Sequence, residues 1–454
     1  MRSVFIILLI VFVFTNEFWK SEAYPYSEAS ENGKFLHLTD IHLDPLYVPN
    51  SDPAEWCHRP NKSNPSANTA GKFGALLSPC DTPYALTNAT FSFFKSSVQD
   101  IDFIIYTGDF VRHDRDKVIP RTKEEVIFGH DIIVKYFSEV YDLKKIKSLR
   151  SGTMMNFVSR FRQKYRLHDT LQPGPNKVLM AIKESWDPLG LNLTDDFLNG
   201  GYFRQDIHST LTVLSLNSIY FLPSNSKSPD CDIPDSPGKK QFDWIERELS
   251  SAVAEGRKVY LIQHIPPVNV TGYSQYKTHC YSLYVDMLGR YHSIIYGHFT
   301  GHTNEDNVAF LVKNGTSSYS LIGLGDPKTL SSSSNYENIV LPLYNAPSIV
   351  PDINPAFRIF SYSTKDSDYG LLQDYVQYYA NLTTANKEGN LVWEIEYDVL
   401  DAYNMKGLST DNWLNTLNEF AKANSTAWKL YKLYLFTNTH VEGPYYAFLS
   451  KLDH

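Results

Sequence analysis

The chain has 454 residues, 43% hydrophobic and 14% aromatic, enough to bury a large core. Its 50 acidic residues against 42 basic ones make it mildly acidic, which argues against nucleic acid as its main partner. Arg2, an apolar run over residues 4–14 and Ser21-Glu-Ala23 form the charged, apolar and small-residue parts of a secretory signal over 1–23. The run has 11 residues, whereas a membrane span needs about 20. A cleaved signal is therefore expected, with an uncleaved signal anchor as the alternative and the one route to a membrane.

Residues 24–34 are polar and loop-like. Phe35-Leu-His-Leu-Thr-Asp40-Ile-His42 then ends an apolar run in two side chains that are hard to bury. Asp102-Phe-Ile-Ile-Tyr-Thr-Gly108-Asp109, Lys258-Val-Tyr-Leu-Ile-Gln-His264 and Ser293-Ile-Ile-Tyr-Gly297-His298-Phe-Thr-Gly301-His302-Thr-Asn304 repeat the design. Each is a β-rich segment releasing a carboxylate or imidazole at its carboxyl end, and neighbouring strands of an open α/β sheet place such ends on one rim. Between residues 42 and 91, Pro, Asn, Ser and Gly predict an irregular excursion. A helix follows over 90–98, a strand over 210–220, and a helix over 238–254 with Phe242, Ile245, Leu249 and Val253 on one face. From residue 341 the strand ends with ligand-type side chains stop. Trp413, Leu414, Leu417 and Phe420, then Trp428, Leu430, Tyr431 and Tyr434, predict helices packed on the body rather than a site.

The strand ends offer oxygen and nitrogen donors and no thiolate, a set suited to divalent metals. Cys57, Cys80, Cys231 and Cys280 permit three pairings, and the absence of Cys-x-x-Cys removes zinc-ribbon and redox readings. Asn61, Asn88, Asn192, Asn269, Asn314, Asn381 and Asn424 each open an Asn-x-Ser/Thr sequon, which suits a lumenal or secreted glycoprotein.

Asp40-Ile-His42, Gly108-Asp109, His264-Ile-Pro-Pro and Gly301-His302-Thr-Asn304 resemble the blocks of the calcineurin-like metallophosphoesterases. Cys80-Asp-Thr-Pro, Cys231-Asp-Ile-Pro-Asp-Ser-Pro-Gly, Ala346-Pro-Ser-Ile-Val-Pro and Asn354-Pro-Ala-Phe-Arg358 resemble the acid sphingomyelinase-like branch, and most closely the fungal-type vacuolar endopolyphosphatases. The resemblance implies an α/β fold, a four-layer α-β-β-α sandwich with two mixed sheets, over 24–340, and a helical C-terminal extension over 341–454. It pairs Cys57 with Cys80 and Cys231 with Cys280. It also implies two divalent ions (Zn, Mn, Mg or Fe): Asp109 bridges them, Asp40, His42 and Asn304 complete the first shell, and His264 and His302 serve the second. Such a pair can hold the attacking and leaving oxygens of a phosphoryl group. His113 is the implied proton donor, with an imidazole pKa near the acidic-to-neutral range of a vacuole. The implied reaction is hydrolysis of internal phosphoanhydride bonds of inorganic polyphosphate, in a vacuole lumen, at its membrane or outside the cell. Alternatives are a sphingomyelinase-like phosphodiesterase and a glycosylated polyanion-binding protein without catalysis. His298 stands where relatives show Gln, and reads equally as a supporting or a surface residue. Arg112, Arg115 and Lys117 read as a solvated charged loop rather than as phosphate contacts.

Two features depart from the family. Asn304 replaces the second His of the usual Gly-His-x-His, in the manner of the endopolyphosphatases. More seriously, the Gly-Asn-His or Gly-Asn-Asn-Asp block that supplies an Asn to the second ion is missing. In its place residues 143–168 carry eight Lys or Arg and no acid. Three accounts stand: a mis-spliced reading frame, a basic insertion that contacts a polyanion, or a degenerate phosphoesterase that binds phosphates without cutting them. Asn156 could substitute as a ligand only if the segment folded into the site.

Overall fold

A computed structural model of the protein describes residues 32–143, 174–175, 177–325 and 338–440. The signal over 1–23, the basic segment beyond Leu143 with Asn156, and the serine run 331–334 lie outside the described residues. Two mixed sheets form the body. The first runs in the order β12 (Glu394–Asp398), β11 (Leu372–Tyr379), β10 (Ala356–Ser363), β1 (Asn32–Leu38) and β2 (Phe103–Tyr106). The second runs β3 (Phe203–Asp206), β4 (Leu211–Ser215), β5 (Lys258–Ile262), β6 (Ile295–Thr300), β9 (Ile339–Asn345), β7 (Asn307–Asn314) and β8 (Ser318–Ile322). β1 and β2 are parallel, as are β4, β5, β6 and β9; the remaining pairings are antiparallel.

Alternation along β1 explains the layering. Successive side chains of a strand point to opposite faces, and both faces of this strand are buried. Phe35 faces inward with Phe103, Phe360, Tyr260 and Phe299, so aromatic rings from both sheets fill one layer. Leu36 and Leu38 face the other way, against α1 (Tyr84–Ser97), α2 (Lys123–Val140) and α3 (Lys177–Trp186). Beyond the short α4 (Asp195–Gly200), Val259 and Leu261 of the second sheet turn outward to α5 (Pro237–Ala254) and α6 (Thr278–Tyr291). The order is α-β-β-α, as the resemblance implied.

Helix α1 begins before the predicted 90–98, because Pro83 ends the preceding loop and the buried face already starts at Leu86 and Thr87. α5 begins at Pro237, with Ser236 capping Lys239 N, a favourable start in which proline forfeits no needed donor. The expected division at residue 340 is corrected. β9 lies between β6 and β7, and β10 pairs with β1 in the middle of the first sheet, so residues 339–398 complete both sheets. No Asp or His stands at the carboxyl ends of β9 and β10, which is the mark that the other central strands carry. The C-terminal chain adds α7 (Leu382–Glu388), α8 (Val399–Tyr403), α9 (Thr410–Phe420) and α10 (Thr426–Tyr434). Trp413 packs on Phe310 and donates its indole N–H to the Tyr344 hydroxyl at 3.2 Å, so these aromatics are core, as predicted. No helix among the described residues is long and apolar enough to cross a membrane.

Both implied disulfides are present. Cys57–Cys80 ties the ends of the irregular excursion, and Cys231–Cys280 ties the loop before α5 to α6. Asn88, Asn192, Asn314, Asn381 and Asn424 are exposed, while Asn61 and Asn269 are half-buried and close local turns through their side-chain oxygens.

Candidate metal centre

The predicted rim is built from two sheets rather than one. β1 and β2 of the first sheet deliver Asp40, His42 and Asp109; β5 and β6 of the second deliver His264 and His302. Backbone bonds weld the loops together: Asp40 N donates to Gly108 O at 2.9 Å, His42 N to Asp109 O at 3.1 Å, and Gly301 N to His264 O at 2.9 Å. The buried Tyr106 hydroxyl spans two of the loops, accepting from Ile41 N at 3.4 Å and donating to Asp109 O at 3.0 Å. The glycines have steric reasons. Gly108 has φ +123°, and a Cβ there would sit 2.9 Å from His264 Nδ1; a Cβ on Gly301 would sit 2.6 Å from Asp40 Oδ2.

Five of the six proposed ligands converge directly. His42 Nε2 lies 3.3 Å from Asp40 Oδ1 and 3.4 Å from Asp109 Oδ2. His264 Nε2 lies 3.6 Å and 3.5 Å from the same two oxygens, and 3.2 Å from His302 Nδ1. Both imidazoles are oriented from behind: His42 Nδ1 donates to Val111 O at 3.1 Å and His264 Nδ1 to Thr107 O at 3.0 Å. That fixes the tautomer which turns Nε2 toward the carboxylates, the arrangement found behind metal-ligating histidines. Asp40 Oδ2 accepts from Thr39 Oγ1 at 2.6 Å and His302 N at 2.9 Å, leaving Oδ1 for the cluster. Asn304 donates its Nδ2 to Asp352 Oδ2 at 3.0 Å, and its Oδ1 is buried without a partner among the described residues.

The electrostatics are those of a site that attracts cations. Burial opposes charge on His42, but Asp109 and Asp40 outweigh it and push its pKa up to about 9. Burial, aided by Asp40, raises the Asp109 carboxyl, whereas Asp40 is held below the usual carboxylate range despite its burial by the imidazoles facing it. Burial brings His264 down to about 3. A proton on His42 Nε2 thus neutralises carboxylates that a divalent ion would neutralise better.

His113 stacks on His42 with ring centroids 4.0 Å apart, and its Nδ1 lies 2.6 Å from Asp81 Oδ1, while its backbone N–H donates to Asp81 Oδ2 at 2.8 Å. Burial, then the charges of Arg115 and His42, lower its pKa to about 3, against the pull of Asp81. Arg112 is not part of a solvated loop. It is fully buried and forms a two-point pair with Glu125 at 2.5 and 3.0 Å, because α2 covers it. Arg115 bonds Pro79 O at 3.3 Å, and Lys117 is exposed. His298 is not a surface residue; it is fully buried and meets the Tyr284 hydroxyl at 2.8 Å. Sequence reasoning missed the roles of Asp81, Tyr106 and Asp352, which join loops distant in the chain. Asp81 and Tyr106 carried a signal, their places in Cys80-Asp-Thr-Pro and in the segment ending at Asp109.

Comparison with known proteins narrows the setting. The mouse cyclic GMP-AMP phosphodiesterase SMPDL3A is 30% identical over 433 residues, covering 91% of this chain and 86% of that protein. The chain belongs to the acid sphingomyelinase-like metallophosphoesterases. The family model described as the acid sphingomyelin phosphodiesterase C-terminal region matches residues 332–441. An endopolyphosphatase from Neurospora crassa is 32% identical over 300 residues, which is 65% of this chain but only 40% of that protein. A solved dimetal phosphatase from Danio rerio superposes with a TM-score of 0.38 at 8% identity, covering 76% of this chain and 95% of that one. The relatives of this acid sphingomyelinase-like chain are hydrolases of phosphorus–oxygen bonds.

Proposed function

We propose that this chain is a metal-dependent hydrolase that cleaves internal phosphoanhydride bonds of inorganic polyphosphate. The observation that carries the metal is the convergence of Asp40, His42, Asp109, His264 and His302, with both tautomers set from behind. The donors fit divalent ions: all are oxygen or nitrogen, and Asn304 adds a buried oxygen with no partner among the described residues. Asp40, His42, Asn304 and Asp109 would hold one ion, and Asp109, His264 and His302 the other. Asp109 suits the bridging place because it lies between both imidazoles, whereas Asp40 commits one oxygen to hydrogen bonds. Bound ions of this kind supply a nucleophile at neutral pH and neutralise charge on the phosphoryl group. His113, held by Asp81, is placed to give a proton to the leaving oxygen, since an anionic phosphate beside it raises a depressed imidazole pKa. Two disulfides suit the oxidising lumen of the secretory pathway, with the vacuole as its endpoint.

Polyphosphate is favoured by the Gly301-His302-Thr-Asn304 pattern and the identity to the Neurospora protein. A phosphodiester substrate is the second reading, favoured by the near full-length match to the mouse phosphodiesterase. The absent asparagine block bears on rate. Loss of one oriented contact in a transition state costs about 3–4 kcal/mol, a factor of roughly 10²–10³. The purified chain is therefore expected to cleave polyphosphate slowly with Mn²⁺, and a version with residues 144–167 replaced by a Gly-Asn-Asn-Asp segment to cleave it fast. Turnover of an aryl phosphodiester or sphingomyelin by the repaired version, without turnover of polyphosphate, would replace the first reading with the second.

A further inference from the structure

We infer that Asp352 is a positioning residue that makes Asn304 an oxygen ligand, by taking the amide NH2 and thereby presenting Oδ1. An amide offers a donor and an acceptor on one carbon, and which of them meets a metal depends on what holds the other. Asn304 Nδ2 donates to Asp352 Oδ2 at 3.0 Å, so Oδ1 must face away, and it is buried with no partner among the described residues. A buried acceptor left unpaired is costly, so its retention points to a partner beyond the described residues, and a bound cation is the partner its surroundings suit. The reversed amide would set Oδ1 against Asp352 Oδ2, one acceptor against another.

The surroundings hold this arrangement. Asp352 is 2% exposed, and its backbone carbonyl accepts from Leu77 N at 3.0 Å. Two residues earlier in the same segment, Val350 N donates to Asp40 O at 2.9 Å, which ties the segment carrying Asp352 to a ligand loop. Asn304 itself has φ +59°, a left-handed backbone that fixes where its side chain leaves the loop. The same contact gives a physical reason for Asn at a place where other phosphoesterases carry His. Asn–Asp352 is a short donor-to-acceptor pair that delivers a neutral oxygen rather than a nitrogen.

This inference rests on the metal reading above, and the test separates the two. Mn²⁺ uptake by the full chain is measured by calorimetry and by elemental analysis after dialysis, for wild type, Asp352→Leu, Asp352→Asn, Asn304→Ala and the double variant Asn304→Ala with Asp352→Leu. Removing the group that orients a ligand typically weakens metal binding about 10–100-fold. Asp352→Leu is expected to weaken one ion by that factor, and Asp352→Asn, whose amide oxygen can still accept, to restore most of it. Adding Asp352→Leu to Asn304→Ala is expected to cost nothing further, because the residue acts through Asn304. Unchanged Mn²⁺ affinity in Asp352→Leu overturns the inference, as does a further loss in the double variant, which marks a merely structural role. Failure of wild type to take up any Mn²⁺ overturns the metal reading itself, and this inference with it.

Discussion

Breaking the Cys57–Cys80 disulfide should damage the candidate site, whereas breaking Cys231–Cys280 should damage only stability. The two bridges span 23 and 49 residues of sequence. On the chain-entropy model, loops of these lengths stabilise the fold by about 3.4 and about 4.1 kcal/mol. Their surroundings differ. Cys80 is bonded to Asp81, whose two oxygens hold His113 through its ring at 2.6 Å and its backbone N–H at 2.8 Å. Cys231 and Cys280 pack against α5, where a Cβ on Gly238 would lie 2.5 Å from Cys231 Sγ, and the adjacent Asp230 bonds the backbone of Cys231, His279 and Cys280 rather than a residue of the site. The double variants Cys57→Ala/Cys80→Ala and Cys231→Ala/Cys280→Ala can be compared by urea unfolding and by hydrogen exchange under native conditions. The longer loop should cost more stability, yet only the first variant should lose protection at the amide of His113. If both variants lose less than about 1 kcal/mol, the loop-entropy estimate is wrong for this chain. If His113 exchanges equally in both, the disulfide does not hold Asp81 in place.

Asp109→Ala removes the carboxylate that faces both imidazoles, so Mn²⁺ should be lost from both positions; elemental analysis showing one retained equivalent would reject Asp109 as the bridge. His58 sits between Asp44 at 2.9 Å and Asp116 at 2.7 Å, and these carboxylates overcome its burial and raise its pKa. Stability from His58 is therefore complete below its ordinary value of about 6.5 and is lost as pH rises through the raised one. Asp116, which Arg59 and His58 hold below the usual carboxylate range despite burial, works at the other end: its contribution is present above about 3.9 and is lost on acidification. Melting temperature should then be highest at mildly acidic pH, and His58→Gln should flatten the decline toward pH 9; an equal decline in both proteins would refute the assignment.

The site was legible in the sequence to the extent that chemistry is concentrated at strand ends. Asp40, His42, Asp109, His264 and His302 each follow a β-rich run, and Gly108 and Gly301 mark places where a ligand side chain passes close to the backbone. What the sequence concealed was pairing at long range. Nothing in the text of β1, β2, β5 and β6 says that they form two parallel pairs in different sheets. β9 and β10 have the buried alternation of central strands but end in Asn345 and Ser363, so the boundary at residue 340 was drawn through the middle of the sheet order. Asp352 is 48 residues from Asn304, and Asp81 is 32 from His113. No periodicity connects such pairs; they appear only once the loops are folded against each other.

The backbone of the site adds a last constraint. Asp40, His42, Asp109, His302 and Asn304 all have positive φ, between 44° and 74°. Side chains other than glycine rarely adopt that region, at a cost of about 1 kcal/mol or more each, and Asp, Asn and His tolerate it best. Five such residues at one rim persist only because their neighbours determine them. The bonds responsible are internal to the described loops: Asp40 N to Gly108 O, His42 N to Asp109 O, His302 N to Asp40 Oδ2, and the Tyr106 hydroxyl between Ile41 and Asp109. None of them uses residues 144–173. The groups proposed for the first ion are therefore held in place whatever occupies the position of the missing asparagine block. On the proposed assignment its absence would fall on the second ion alone, for which His264, His302 and a bridging Asp109 would be the remaining ligands.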